Sequence, residues 1–473
     1  MFGLSRGFWR TLITILAVTA AAIVLAPLYR VALLGSGYMA QTLCAGMFVS
    51  GRDMDDLMAQ ELSGPGFELL AYYQPAPDRE TRTVRASAYG LAAQTAIFRD
   101  GLGCTLVHGK SEAKLRAQAA GLFPAREPPD STATWPKGEL VSAWSPPEGV
   151  NGEAVTQAID AIFSERDPAH PRRTRALVVV HEGRIVAERY APGFDADMPL
   201  IGWSMAKTAI NALVGMRVKD RALALSDDAL LPEWRAEGDP KRAITLDELM
   251  RMTSGLVFGE DYDSDLSDIA QMLYVQGNAA RFAASKPLAH PPGTVWSYSG
   301  GTTNIIAGVL RETFADERDY LRFPQMRLFE PLGMRSAVLE PDAAGTFVGA
   351  SFLYASARDW ARLGLLFMRD GVWQGKRLLP EGWVDYSLRP TRLSPHGQYG
   401  AQMWLKLPQS PGLGEPPMPD DAYYMLGYEG QVAAMVPSRD LVIVRLGLTR
   451  KGGDWDTGRD LAPLVNAFPP RAR

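Results

Sequence analysis

Cysteine and histidine are scarce in this sequence. The 473 residues include two cysteines and five histidines, and they contain no CxxC, HExxH or other Cys/His cluster. Structural and catalytic zinc sites are built from such clusters. The sequence therefore gives no support for a metal site.

Blocks of positive charge are missing as well. Lys and Arg total 49 against 53 Asp and Glu, which gives a formal net charge of −4. No basic stripe with interleaved aromatic residues occurs, and nucleic-acid surfaces depend on such stripes. We therefore expect no nucleic-acid partner. Repeats and low-complexity tracts are also absent, and with 47% hydrophobic and 22% charged residues the chain has the composition of a globular protein with at least one large core.

One long apolar run lies at the N-terminus. Arg6 and Arg10 precede the uncharged residues 11–28, TLITILAVTAAAIVLAPL, and a helix needs ~20 such residues to cross a bilayer. A cleaved signal peptide has a shorter apolar region of roughly 7 to 15 residues. We predict a single-pass anchor in a bacterial inner membrane, with its start in the cytoplasm and the chain from about residue 34 onward in the periplasm. The alternatives are secretion after signal cleavage and a buried core helix.

The sequence after the anchor suggests two regions. We predict a cytoplasmic tip and transmembrane anchor over residues 1–35, an N-terminal β-rich region with a Pro-containing linker over 36–137, and a C-terminal domain over 138–473. The β-rich region has short strand-like runs separated by Gly and Pro. Three roles fit such a region: covering a cleft, docking a partner or bracing the fold.

Both cysteines, Cys44 and Cys104, fall in the exported N-terminal region. An oxidising compartment allows two such thiols to pair. We predict a disulfide between them, and the alternative is two separate buried thiols.

The C-terminal domain begins and ends with strand patterns. Residues 175–194 read as a β-hairpin with Glu182 and Gly183 at the turn, residues 245–371 are mainly helical, and residues 422–448 return to strands. Strands at both ends with helices between them predict an α/β (α+β) fold. In that fold an antiparallel sheet is flanked by helices and carries an inserted all-helical lobe.

A serine and a lysine lie three residues apart in the helix-like stretch GWSMAKTAINALVG, residues 202–215. Residues i and i+3 share a helix face, so Ser204 and Lys207 are predicted neighbours. A serine hydroxyl becomes a useful nucleophile when a base is within hydrogen-bond reach, and apolar surroundings favour the neutral amine that such a base must be. We predict that Lys207 activates Ser204. The alternative is a helix cap followed by a solvated lysine.

Two further stretches strengthen this hypothesis. Tyr298 stands at a Gly-rich turn before a helix, where it can relay a proton to a leaving group. Residues 425–447 form a predicted strand pair whose backbone can complete an oxyanion hole. Five large aromatic residues are candidates for an acyl pocket or for the core: Trp203, Tyr262, Trp296, Tyr399 and Trp404.

The chain thus has three motifs in order, SMAK at residues 204–207, YSG at 298–300 and YEGQ at 428–431. They resemble the motifs of the β-lactamase-related serine hydrolases, for which SxxK is a signature. Residues 246–256 and 356–384 are similar to the class C-like branch, especially the 6-aminohexanoate-dimer hydrolases and related esterases. The resemblance covers roughly residues 140–465.

The resemblance implies a role for each motif. Ser204 is expected to be the nucleophile, Lys207 the general base and Tyr298 the proton relay. The backbone N–H groups of Ser204 and Gln431 are expected to bind the oxyanion. An acyl-enzyme is then hydrolysed by water, and the reaction needs no metal or organic cofactor.

The sequence departs from the β-lactamase pattern at two positions. Gly300 stands where Asn is common, and Tyr428 stands where Lys or His is common. Both changes remove polar groups that recognise a β-lactam and its carboxylate, so we expect an esterase or amidase acting on a small-molecule ester or amide. We predict that Gly300, Tyr428 and Glu429 contact the substrate. Glu429 suggests a cationic or amine-bearing substrate, or else it is a solvated turn residue.

Three other functions compete with this hypothesis. A Ser-His-Asp hydrolase would draw its base from His108, His170, His181, His290 or His396. A D-alanyl peptidase fits the periplasmic location. A non-catalytic protein could use the same cleft to bind peptide or cell-wall fragments.

Overall fold

The computed structural model describes residues 6–124, 132–143, 145–262, 264, 266–408 and 417–471, with the backbone alone for 6–14 and 16–24. The strands are β1 (Tyr73–Asp78), β2 (Thr83–Ala88), β3 (Leu91–Arg99), β4 (Gly103–Leu106), β5 (Thr174–His181), β6 (Arg184–Tyr190), β7 (Leu200–Ile201), β8 (Val338–Leu339), β9 (Leu353–Ala355), β10 (Val372–Trp373), β11 (Lys376–Arg377), β12 (Tyr423–Gly427), β13 (Gln431–Val436) and β14 (Leu441–Gly447). The helices are α1 (Arg6–Phe48), α2 (Met54–Gln60), α3 (Glu112–Ala119), α4 (Gly152–Phe163), α5 (Ala206–Lys219), α6 (Leu246–Met250), α7 (Asp268–Tyr274), α8 (Ala279–Ala284), α9 (Gly300–Glu312), α10 (Glu317–Pro324), α11 (Glu330–Leu332), α12 (Ala357–Met368), α13 (Trp383–Leu388) and α14 (Thr457–Asn466).

The main sheet joins the two ends of residues 138–473, which are the catalytic domain implied by the resemblance. Its five antiparallel strands run in the order β12-β13-β14-β5-β6. Strands β5 and β6 form the predicted hairpin, and its two turn residues, Glu182 and Gly183, both have positive φ. Such a two-residue turn matches the twist of the paired strands. The predicted sheet built from both ends of the domain is therefore confirmed.

Helices cover both faces of this sheet. Along the central strand β5, Leu177 and Val179 face the apolar core that holds residues of α4 and α14. Val178 and Val180 face the larger core that holds residues of α5 and α12. Side chains alternate between the faces of a strand, and both faces of this strand are buried. Helices α6–α11 are inserted between β7 and β8 and form the predicted helical lobe.

The N-terminal region contains a second antiparallel sheet, in the order β1-β2-β3-β4. The strand-like run GFELLAYYQP, residues 66–75, is a strand only at its end. Glu68–Tyr72 forms a 3₁₀ helix, and the strand begins only at Tyr73. The N–H of Leu70 donates to the carbonyl of Phe67 at 2.9 Å, and the turn buries Leu70. In the predicted linker, residues 125–131 lie outside the described residues.

Helix α1 has 43 residues and a length of about 65 Å, and it runs through the predicted boundary at residue 35. Its C-terminal part packs against the β1–β4 sheet, and Cys44 is disulfide-bonded to Cys104 in β4, which confirms the predicted pairing. By length and composition Leu25–Phe48 could cross a membrane, but 67% of its most apolar 18-residue window is buried inside the protein. Most side chains of the predicted anchor, residues 11–28, lie outside the described set.

Candidate active site

Ser204 and Lys207 lie side by side. A short 3₁₀ turn, Trp203–Met205, follows β7 and leads directly into α5. The ammonium nitrogen Nζ of Lys207 donates to Ser204 Oγ at 3.0 Å and to the carbonyl of Ala350 at 3.3 Å. Lys207 is only 2% exposed, so the alternative of a solvated lysine is wrong. Ser204 is half-buried.

Hydrogen bonds from Trp203 and Gly202 hold the turn that carries Ser204. Trp203 has a φ of +48°, a left-handed conformation that is uncommon for a large side chain. Its indole N–H donates to Glu429 Oε2 at 3.1 Å, and the N–H of Gly202 donates to the carbonyl of Leu353 in β9 at 2.9 Å. These contacts fix Ser204 at the start of α5, where backbone N–H groups are free of helical partners.

Tyr298 also reaches this site. The centre of its ring lies 4.9 Å from Lys207 Nζ, and the next residue, Ser299, caps α9 by accepting from the N–H of Thr302. Tyr399 and Trp404 pack against the Tyr298 ring, with centroids 5.8 and 5.3 Å away. Two of the five predicted aromatic candidates therefore contact the Tyr298 ring, and a third, Trp296, packs on both of these.

A carboxylate that the sequence reasoning missed lies behind the second motif. Glu260 Oε2 accepts from the N–H of Gly300 at 2.7 Å. A Cβ at position 300 would lie 3.0 and 3.2 Å from the two Glu260 oxygens, so the carboxylate occupies the space that a side chain there would need. Burial raises the pKa of Glu260, and the positive charge of Lys207 opposes that shift. Within the part of the chain that the structure describes, Glu260 Oε1 is buried without a hydrogen-bond partner.

The third motif lies next to the serine turn. Tyr428–Gly430 forms a short turn that leads into β13, and both β12 and β13 pack against Trp203–Met205. The side chain of Gln431 holds the neighbouring strand, because its Nε2 donates to the carbonyl of Gly447 at 2.7 Å and its Oε1 accepts from the N–H of Gly447 at 2.9 Å. Because the side chain is used in this way, the predicted contribution of Gln431 to an oxyanion hole comes from its backbone N–H.

Glu429 is a buried residue and not a solvated turn residue. It is 7% exposed, it accepts from Trp203, and its Oε1 lies 3.8 Å from Arg450 Nε. Burial and the neighbouring charge of Glu61 raise the pKa of Glu429 to about 7, against the opposing charges of Arg450 and Arg175. The Glu429 carboxylate thus lies against the indole N–H of Trp203.

The side chain of Tyr428 lies in an aromatic cluster. Its ring stacks on Tyr262 at 4.7 Å and meets the edge of Trp203 at 5.6 Å. The three predicted substrate contacts therefore have different surroundings: Gly300 faces a carboxylate, Glu429 an indole N–H, and Tyr428 two aromatic rings.

This arrangement gives a buried amine in contact with a serine hydroxyl, which suits nucleophilic catalysis. The side chain hydrogen-bonded to Ser204 Oγ is a lysine. His170 instead contacts the carbonyl of Gly452, and His181 packs on Phe468. No group of three or more His, Cys, Asp or Glu side chains with metal-binding geometry occurs in the described ranges.

The β-lactamase family model matches residues 159–466, so this chain belongs to the β-lactamase family, a family of hydrolases, and the predicted resemblance is confirmed. A 6-aminohexanoate-dimer hydrolase from Paenarthrobacter ureafaciens is 22% identical over 294 residues, which cover 58% of this chain and 72% of that protein.

Solved structures share the fold at low sequence identity. A family VIII carboxylesterase is 16% identical, with a TM-score of 0.51 and coverage of 68% of this chain and 98% of its own. A penicillin-binding protein homolog from Caulobacter crescentus is 17% identical, with a TM-score of 0.50 and coverage of 69% and 98%.

Proposed function

We propose that this protein is a membrane-anchored serine hydrolase that cleaves a small ester or amide through an acyl-enzyme on Ser204. The observation that carries this proposal is the 3.0 Å contact between the buried Lys207 amine and Ser204 Oγ. A base in this position can take the hydroxyl proton as the oxygen attacks.

The reaction proceeds in two halves. In the first, neutral Lys207 accepts the proton of Ser204 while Oγ bonds to the substrate carbonyl carbon. The resulting oxyanion receives hydrogen bonds from the backbone N–H groups of Ser204 and Gln431. The bond to the leaving group then breaks, and Tyr298 relays the proton from Lys207 to the departing oxygen or nitrogen. In the second half, water attacks the acyl carbon and Ser204 is released with its proton restored.

Glu260 supports a preference for esters or amides over β-lactams. This carboxylate lies against the backbone of Gly300, where the β-lactamase pattern commonly has Asn. A negative charge there repels the carboxylate that β-lactams carry. We therefore include Glu260 as a positioning residue that also sets the charge around Lys207.

Ester hydrolysis by the full-length protein tests the proposal. The protein is reconstituted in lipid nanodiscs and assayed with p-nitrophenyl acetate and with the β-lactam nitrocefin. We expect ester turnover that Ser204→Ala abolishes and that the surface control Ser285→Ala retains, with little nitrocefin turnover. A wild-type protein that releases no nitrophenol above buffer would instead favour the binding-protein alternative.

The anchor is part of the proposal and has its own test. Helix α1 starts at Arg6 and continues into the folded protein without a break, so a cleaved signal would cut a continuous helix. We expect the intact chain to stay with membranes after a carbonate wash and to keep its N-terminal residues by mass. Release of a shortened chain would support secretion.

A further inference from the structure

A cavity of about 370 Å³ lies between the N-terminal region and the catalytic domain. Helix α1 lines it with Val31, Leu34 and Tyr38, and the segment of residues 65–73 contributes Phe67 and Leu70. Cavities of this size that are lined mainly by apolar and aromatic side chains are typical small-molecule sites. The cavity therefore has the size and lining of a binding site for an apolar group.

The inner wall of this cavity adjoins the proposed active site. It is formed by Trp203, Tyr262 and Tyr428. Trp203 is the residue immediately before Ser204, and Tyr428 opens the third motif. The rings of Tyr262 and Tyr428 stack, and both lie edge-on to Trp203. A molecule in the cavity would thus lie against the aromatic cluster that borders the nucleophile.

Close packing fixes the N-terminal wall in place. A Cβ at Gly37 would lie 2.2 Å from the carbonyl oxygen of Tyr274, so α1 approaches α7 as closely as a backbone can. Arg450 holds the lining segment that contains Phe67. Its guanidinium donates to the carbonyl of Ser63 at 2.6 Å and lies 3.8 Å from the centre of the Phe67 ring. The cavity is therefore built by contacts across the two regions.

Exposed apolar side chains connect the cavity with the end of the predicted anchor. Leu25 and Leu28, in the anchor, and Tyr29, just after it, are 56–62% exposed, and Leu69 at the cavity and Tyr72 beside it are 58% and 55% exposed. Apolar side chains with this exposure mark membrane or partner contacts when they cluster. The first lining residue, Val31, follows the predicted apolar run by three residues, or about 5 Å along the helix. The cavity thus lies at the level where α1 would leave the bilayer.

We infer that this cavity binds the hydrocarbon chain of an amphiphilic ester supplied from the membrane, with the ester carbonyl held at Ser204. The inference rests on the proposed function and names its substrate class. The aromatic wall and the lining residues of α1 hold the chain, and the exposed apolar side chains receive it from the lipid. Covering and completing the cleft is then the role of the N-terminal region.

A chain-length series tests the inference. Full-length protein in nanodiscs is assayed with p-nitrophenyl esters from acetate to palmitate. Each methylene that enters the cavity should raise kcat/KM about threefold to fourfold, until the cavity is full and the increase stops. At fixed total ester, the rate should follow the mole fraction of ester in the bilayer.

Two cavity variants separate binding in the cavity from simple partition into lipid. Ala270→Phe adds bulk from the α7 wall, and Leu34→Ala removes bulk from the α1 wall. We expect the plateau to move to shorter chains in the first variant and to longer chains in the second, when each rate is expressed relative to the acetate rate of the same variant. Ala161→Phe, on the exposed side of α4, is the bulk control and should leave the profile unchanged.

The outcomes distinguish this inference from the proposed function. Acetate turnover with identical chain-length profiles in wild type, Ala270→Phe and Leu34→Ala would overturn the lipid-chain site and leave the hydrolase intact. A rate that follows the bulk ester concentration would point to a soluble substrate and would also overturn the membrane source. Loss of all turnover and acylation in wild type would overturn the proposed function itself.

Discussion

The catalytic domain and the N-terminal region contribute to the site in different ways. In the catalytic domain the proposed reactive pair is local, since Ser204 and Lys207 are three residues apart at the start of one helix. The N-terminal region packs on the catalytic domain through residues that are far apart in sequence: Gln41 Nε2 donates to Glu340 Oε2 at 2.7 Å across 299 positions. A motif thus specifies the chemistry, whereas the cavity beside it depends on long-range packing.

A buried charge network joins the two regions. Glu61 in the N-terminal region pairs with Arg175 in β5 at 2.6 Å and also with Arg52. Removing one partner from such a network leaves an uncompensated buried charge, which is strongly destabilising. The N-terminal region is therefore held to the catalytic domain by buried charge pairs. Variants in each region can separate its contribution to stability and chain-length preference from the contribution of the proposed reactive pair to the rate.

Lys207→Ala should have the largest effect, because it removes the base and leaves the N-terminal region untouched. We expect hydrolysis of p-nitrophenyl acetate to fall about 10³-fold to 10⁴-fold, with the thermal midpoint close to that of wild type. Lys219→Ala, at the partly exposed end of the same helix, is the matched control and should keep full activity. If Lys207→Ala retained a tenth or more of the wild-type rate, another base, such as a histidine, would have to act.

Loss of the disulfide should weaken the N-terminal region. Cys44 and Cys104 close a loop of 60 positions, for which chain entropy predicts about 4 kcal/mol of stabilisation. We expect Cys44→Ser with Cys104→Ser to lower the free energy of unfolding by about that amount in a urea titration. The chain-length preference should disappear at lower urea than acetate hydrolysis does. Simultaneous loss of both would mean that the two regions unfold as one unit.

Glu429→Gln should change how stability depends on pH. Burial raises the pKa of Glu429 from its ordinary value of 4.5 to about 7 in the folded protein. The resulting stabilisation is complete below about pH 4.5 and is lost as pH rises through 7. The wild type should therefore lose about 3 kcal/mol more than Glu429→Gln between pH 4.5 and pH 8.

The control for this experiment is Glu80→Gln, at an exposed position of the N-terminal region. It should follow the wild-type pH profile. Parallel profiles for wild type and Glu429→Gln would show that this carboxylate keeps its ordinary pKa at the junction of the two regions.

Glu260→Gln should have the smallest effect. The variant removes the carboxylate behind Gly300 and keeps a side chain of similar size. We expect hydrolysis of p-nitrophenyl acetate to stay within tenfold of wild type, while nitrocefin turnover rises relative to ester turnover, because the charge proposed to repel the β-lactam carboxylate is gone. An unchanged ratio of the two rates would make Glu260 a purely structural partner of Gly300.

Much of this site follows from local sequence. The i, i+3 spacing places Lys207 beside Ser204, and the Glu182-Gly183 turn sets the β5–β6 hairpin. The strand patterns at both ends of the catalytic domain predict its sheet. These features depend on periodicity and turn chemistry, which short stretches of sequence contain.

Other features depend on contacts that no local pattern contains. Glu260 meets Gly300 across 40 positions, and Trp203 meets Glu429 across 226. Helix α1 reads as an apolar run, but composition does not separate its proposed membrane part from its buried part, since both are apolar. The carboxylate behind Gly300, the burial of Glu429 and the α1 wall of the cavity therefore emerge only from the folded structure.

The most direct test of the central claim is intact-mass spectrometry with peptide mapping after a fluorophosphonate reaction. Full-length wild type, Ser204→Ala and Lys207→Ala are treated in nanodiscs. We expect one adduct on the wild type, located on the peptide that contains Ser204, absent from Ser204→Ala and formed far more slowly in Lys207→Ala. No adduct on the wild type, or an adduct on a different residue, would contradict the claim.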